Sequence, residues 1–297
     1  FIKKGDNITT INIIIDYQVI SFSNLFSECE CIESINFKKI YRNNIQTINF
    51  MFSYCSSLKS INFSNYNTNK VTDMYSLFFG CKSLKEINLS KFNTSNVTSL
   101  YGFFYGCSSL EEINLSNFDT TNVKSLEYMF NSCISLKKLN ISNFNTSNVT
   151  NMSKMFSGCI SLTELNLSNF NTEKVINMDS MFYYCKTLKQ LNISNFNTIN
   201  VTKMSLIFHG CSSLEKIYLS NINTTNVRYM NYMFSECSSL KEIDLSNFKV
   251  ENVCNMSYMF NKCTSLKEIN LSNFYTKNLN IICSMFEECT SLIKLDL

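Results

Sequence analysis

The sequence predicts an α/β repeat solenoid of about eleven 26-residue units. Short parallel strands are expected on its concave face and short helices on its convex face. Two observations carry this. Cysteines recur every 26 residues without a break, from Cys29, Cys55 and Cys81 through to Cys289. Three residues before each stands a Phe, from Phe26 to Phe286, and three after stands Leu, with Ile32 the one exception. Self-similarity at such a period is the signature of a stacked array, because one unit cannot bury its apolar side chains alone.

Within a unit the apolar spacing changes. In Val149, Met152, Met155, Phe156 and Cys159 the steps place all five within an arc of about 120° at about 100° per residue, one face of a short helix. Asn148, Ser147 or Thr146 would cap its start through a side-chain oxygen. Gly158, like Gly80, Gly106 and Gly210, stands where a left-handed residue could end it. Leu162, Leu165 and Leu167 follow, and the last two alternate with Asn166, which fits a short strand. Ser168–Thr172 turns the chain back. All 13 methionines lie seven or four residues before a ladder cysteine and are expected in the core.

Composition narrows the function. The chain has 297 residues, no Pro or Trp, one His, and 45% hydrophobic residues, enough for a core. No apolar run approaches the length of a membrane span, so no direct membrane insertion is expected. A net charge of +3 from 26 basic and 23 acidic side chains argues against nucleic acid as partner. With one His, no Cys-x-x-Cys and ladder cysteines a full coil apart, neither a catalytic constellation nor a metal site is expected, and no cofactor. The ladder cysteines are expected as buried free thiols. Cys31, Cys254 and Cys283 lie off the ladder and are more exposed by pattern, with a Cys254–Cys283 pairing left open. His209 stands at a variable position and is expected on the surface.

Met-Phe-x-x-Cys-x-Ser-Leu followed by Leu-x-x-Ile-x-Leu and Ser-Asn-Phe-Asn-Thr-Ser-Asn-Val-Thr-Asn-Met resembles the BspA-like leucine-rich-repeat surface proteins, in the branch with a 26-residue unit. Phe144–Leu167 carries the motif most fully, and the likeness covers residues 19–297. It implies a leucine-rich-repeat-like right-handed coil and an extracellular, cell-surface, adhesive or host-interacting protein. The alternative is a cytoplasmic scaffold of the same fold. Residues 1–18 depart from the pattern and are expected as an N-terminal cap or degenerate repeat. The chain stops at Leu297 on a strand position, so the array is expected to be truncated at its C-terminus.

The concave face is the expected docking surface for a protein or glycan. Its candidate contacts are Glu86, Glu112, Lys138 and Glu164, with Asn88, Asn114, Asn140 and Asn166 beside them. For the Asn row the competing expectation is a ladder of amides bonded between coils. Tyr218 and Asp244 interrupt that row, and with Lys216 and Glu242 they combine an aromatic with charges, either a binding hot spot or simple drift. A threonine row from Thr68 to Thr224 is expected to cap helices.

Overall fold

The computed structural model describes residues 19–37, 44–64 and 66–297; the expected cap at 1–18 lies outside them. The chain advances one coil per 26 residues and sets like residues over like. Ring centroids of the Phe ladder are 5.9 Å apart for Phe104–Phe130 and Phe130–Phe156, with interplanar angles of 15° and 3°. The same parallel stack runs unbroken to Phe26 at one end and Phe286 at the other. Around it pack the ladder Cys, Leu, Val and Met side chains in one continuous core.

Among the described residues, eight three-residue strands form on one side, and they pair in register and in parallel. β1 (Ser34–Asn36) pairs with β2 (Ser60–Asn62), and β3 (Glu112–Asn114) with β4 (Lys138–Asn140). β5 (Gln190–Asn192) pairs with β6 (Lys216–Tyr218), and β7 (Glu268–Asn270) with β8 (Lys294–Asp296). The sheet is therefore not continuous. Segments 86–88, 164–166 and 242–244 hold equivalent positions without strand pairing. A second row of single parallel bridges, eight residues before each ladder cysteine, is more regular and runs unbroken from Ser99 to Ile281.

The expected convex helices are absent: no described residue is helical. Each coil instead makes a chain of tight turns with positive φ five residues and one residue before its ladder cysteine, as at Lys154 (55°) and Gly158 (75°). Between them, Met155 N–H bonds back to Met152 and Cys159 N–H to Phe156, three residues away. The intervening N–H groups point along the stack: Lys154 donates to Asp179, Phe156 to Met181 and Gly158 to Tyr183 of the next coil. A helix would direct the N–H groups beyond its first turn to carbonyls four residues back within itself, and would be about 10–12 Å wide. Coils that repeat at the strand spacing of about 4.8 Å leave no room for that width. The turns instead satisfy their backbone groups from coil to coil.

Three side-chain ladders reinforce this. Each ladder S–H from Cys55 to Cys289 donates to the carbonyl of the Phe one coil back, at 3.1 Å for Cys107 to Phe78 and 3.2 Å for Cys159 to Phe130. All 14 cysteines are free, Cys254 and Cys283 included; Cys31 and Cys283 are exposed, and nine of the ladder members are buried. Asn169 and Asn195 donate Nδ2 to two backbone carbonyls each in the coil before, Ile141 and Phe144, and Leu167 and Phe170.

The threonines cap no helix. Thr146 Oγ1 donates to the carbonyl of Asn171 at 2.7 Å and accepts from the same residue's N–H at 2.8 Å. From Thr68 to Thr224 every member of the row is at most 1% exposed and donates in the same way. Val250 takes the next position, so valine fits the space. Thr146→Val should therefore cost about 1–3 kcal/mol for each backbone group left unpaired. Chemical denaturation would register this as a lower midpoint with an unchanged slope.

Candidate functional site

Alternation along the strand segments turns Ile and Leu inward and leaves the residues on either side facing solvent. Glu86, Asn88, Glu112, Asn114, Lys138, Asn140, Glu164 and Asn166 together line a shallow groove of about 1050 Å³ that crosses coils from Ser60 to Asn166. A smaller hollow of about 540 Å³ continues it through Glu164, Gln190 and Asn192 to Tyr218. The predicted contacts therefore share one face. Register pairing puts Glu112 beside Lys138, whose Nζ lies 2.6 Å from the Glu112 carboxylate and whose pKa that bond raises. Both side chains are well exposed, so solvent screens the pair and it adds little to stability. Its oxygens and protons remain open to a partner.

The Asn row does not bond between coils. Asn88, Asn114, Asn140 and Asn166 each accept through Oδ1 the N–H of the serine two residues on, at 3.0 Å for Ser90, Ser116 and Ser168 and 3.2 Å for Ser142. These are Asx turns. They hold the strand ends and leave the amide Nδ2 facing outward. Asp244 makes the same bond to Ser246 N–H at 2.9 Å, which lowers its carboxyl pKa.

Tyr218 is 39% exposed, and Lys216 Nζ lies 4.9 Å from its ring centre. These two residues form one unit. Glu242 and Asp244 lie one coil further, in a segment without strand pairing, and among the described residues no ion pair links Glu242 to Lys216. The expected four-residue patch is thus an aromatic–cation pair with two carboxylates on the next coil.

His209 corrects a further expectation. It is only 8% exposed, because Tyr183 stacks on it at 5.1 Å while Tyr184 and Tyr232 meet it edge-on at 5.2 and 5.8 Å. Burial lowers its pKa and favours the neutral ring. Among the described residues no three His, Cys, Asp or Glu side chains converge as a metal site, and no helix is long and apolar enough to cross a membrane.

Comparison with known proteins places this architecture. A leucine-rich repeat protein from Bacteroides ovatus matches with a TM-score of 0.50 and 20% identity, over 96% of this chain and 85% of that one. A leucine rich cell surface protein from Faecalibacterium prausnitzii matches at 0.42 and 16% identity, over 89% and 87%. The first likeness shows a leucine-rich-repeat-like solenoid fold. No curated relative matches the chain. The family described as "Mycoplasma protein of unknown function, DUF285" matches residues 20–138, 98–192 and 189–295, which together span most of the sequence. The chain belongs to the DUF285 family.

Proposed function

We propose that the chain is a non-enzymatic, cell-surface binding protein of BspA-like type that docks a partner protein on its strand face. The observation that carries this is the uncovered groove of about 1050 Å³ along that face. Its alternating carboxylate, ammonium and amide groups suit a protein of mixed charge better than an uncharged sugar. Shallow grooves of this kind enclose no substrate, which favours recognition over catalysis. The extracellular placement rests on the motif resemblance.

The test uses fluorescently labelled chain on intact epithelial cells. Saturable binding, competed by unlabelled chain, is expected. Replacing Lys138 and Glu164, which line that groove, with Ala should weaken it about tenfold, or 1.4 kcal/mol, without lowering the melting temperature. Non-saturable binding, or equal binding by the variant, would overturn the proposal.

A further inference from the structure

In the turns, the position two residues before each ladder cysteine holds Phe79, Tyr105 and Tyr183 in some coils and Ser, Asn or Glu in others. Before Cys211 it holds His209, the single histidine of the chain. Three tyrosine rings enclose it. Tyr183, one coil back, lies against its face, and Tyr184 and Tyr232 meet it edge-on. Tyr184 reaches further. Its ring lies directly on Gly210, where an added Cβ would come within 2.5 Å of it. Its hydroxyl donates to the Glu236 carboxylate at 3.3 Å, two coils along. The Tyr184 ring thus bridges the coil that carries His209 and covers one edge of the imidazole.

This enclosure suits a neutral ring and not a charged one. Nδ1 of His209 is buried and has no hydrogen-bond partner among the described residues, so a proton added to the ring makes it a charged group with an unmatched buried nitrogen. Desolvation by burial is accordingly the largest influence and holds the His209 pKa below its ordinary 6.5. Of the charges that act on the ring, Glu236 opposes burial and Lys262 adds to it; Glu236 is already engaged by Tyr184. Once exposed, the imidazole titrates near 6.5. As pH falls below that value, an opened turn takes up a proton that the closed turn refuses, so the closed state loses stability. Asp179, on the coil before, has the opposite sign: burial raises its pKa, so acid favours its folded form.

We propose that His209 is an acid-operated latch: its protonation drives the ring out from among Tyr183, Tyr184 and Tyr232 and opens the turn at 206–210. Packing alone does not call for a histidine here, since Phe79 and Tyr105 fill the same position with rings that do not titrate near neutrality. The opening spreads through the backbone bonds that meet at this point. His209 N–H donates to the Leu206 carbonyl at 3.1 Å, and Tyr184 N–H to the His209 carbonyl at 2.7 Å. Leu206 and Gly210 N–H donate to Asn231 and Ser235 of the next coil at 3.0 and 2.8 Å. The latch lies in the turns and not in the strand-face groove, so it stands independently of the docking reading.

Two readouts on the full chain test this. The one imidazole Cε1–H resonance, followed by NMR from about pH 8 to 4.5, should titrate with a midpoint below its ordinary 6.5. Backbone amide exchange at about pH 7.5 and 5, each corrected for its intrinsic rate, should show protection at Tyr184, Leu206, His209 and Gly210 falling about tenfold or more in acid. The amides of Tyr128, Phe130 and Ser132, which bond to the next coil in the same way, should keep theirs. His209→Phe, the residue found at position 79, should stay protected at both pH values. Glu236→Gln, which leaves Tyr184 an acceptor but removes the opposing charge, should move the midpoint further down in pH. A midpoint at or above 6.5, titration with protection unchanged, or the same loss in His209→Phe would each overturn the proposal.

Discussion

Raising the pH above 9 should unfold this solenoid within a narrow interval. Burial pushes the thiols of Cys55, Cys159 and Cys211 up to about 12 from an ordinary 9.0, and those of Cys81, Cys107, Cys133, Cys185 and Cys237 well above it. Once unfolded, each thiol ionises freely. Above pH 9 the folded chain therefore holds more protons than the unfolded one, and stability must fall as pH rises. The contribution is complete below pH 9 and is lost progressively towards pH 12. Each buried thiol adds a slope of about 1.4 kcal/mol per pH unit. These eight acting together approach about 11 kcal/mol per pH unit as an upper bound, comparable with the whole stability of a typical domain. Denaturant titrations between pH 8 and 11, with a non-thiol reductant present, would measure this. Cys133→Ala with Cys159→Ala should flatten the slope while lowering stability at pH 7, because both S–H bonds are lost. Stability that stays level from pH 9 to 11 would show that the ladder thiols are not buried.

Phe156→Ala should destabilise the chain by about 3–5 kcal/mol. Its ring is 0% exposed and lies between Phe130 at 5.9 Å and Phe182 at 5.8 Å, both nearly parallel to it. Neighbouring rings are held from two sides by their own coils, so collapse into the vacated space is restricted and the cavity cost adds to the lost burial. Glu164→Ala, on the exposed strand face of the next segment, should stay within about 0.5 kcal/mol of the parent.

The core was legible in the sequence because stacking makes one position in 26 answer to one place in space. The Phe–Cys–Leu register alone locates the stack, and Gly158 announces its left-handed turn. The helices were misread because two geometries share one pattern. The steps from Val149 to Cys159 fit a helical face, and they fit equally a run of turns whose alternate N–H groups face the next coil. Gly102 and Gly106 were the available warning: two glycines four residues apart, at the middle and end of a supposed short helix, oppose helix formation but suit paired left-handed positions.

On the strand face, period-two alternation found the outward residues, and eight of them line one groove. It could not say where the amides bond, since Asn88 and Asn169 are the same residue type in similar polar surroundings. One closes a turn within its coil, the other bridges to the coil before. The buried threonines were hidden for the same reason: a Thr in a polar turn gives no sign that its hydroxyl is enclosed.

Vertical register is most directly tested by two double-mutant cycles read by denaturant unfolding. Phe130→Ala with Phe156→Ala, on adjacent coils, should show a coupling of about 0.5–1.5 kcal/mol from the stacked pair. Phe130→Ala with Phe260→Ala, five coils apart, should add to within about 0.5 kcal/mol. Additivity in the adjacent pair, or coupling in the distant one, would contradict the stacked solenoid.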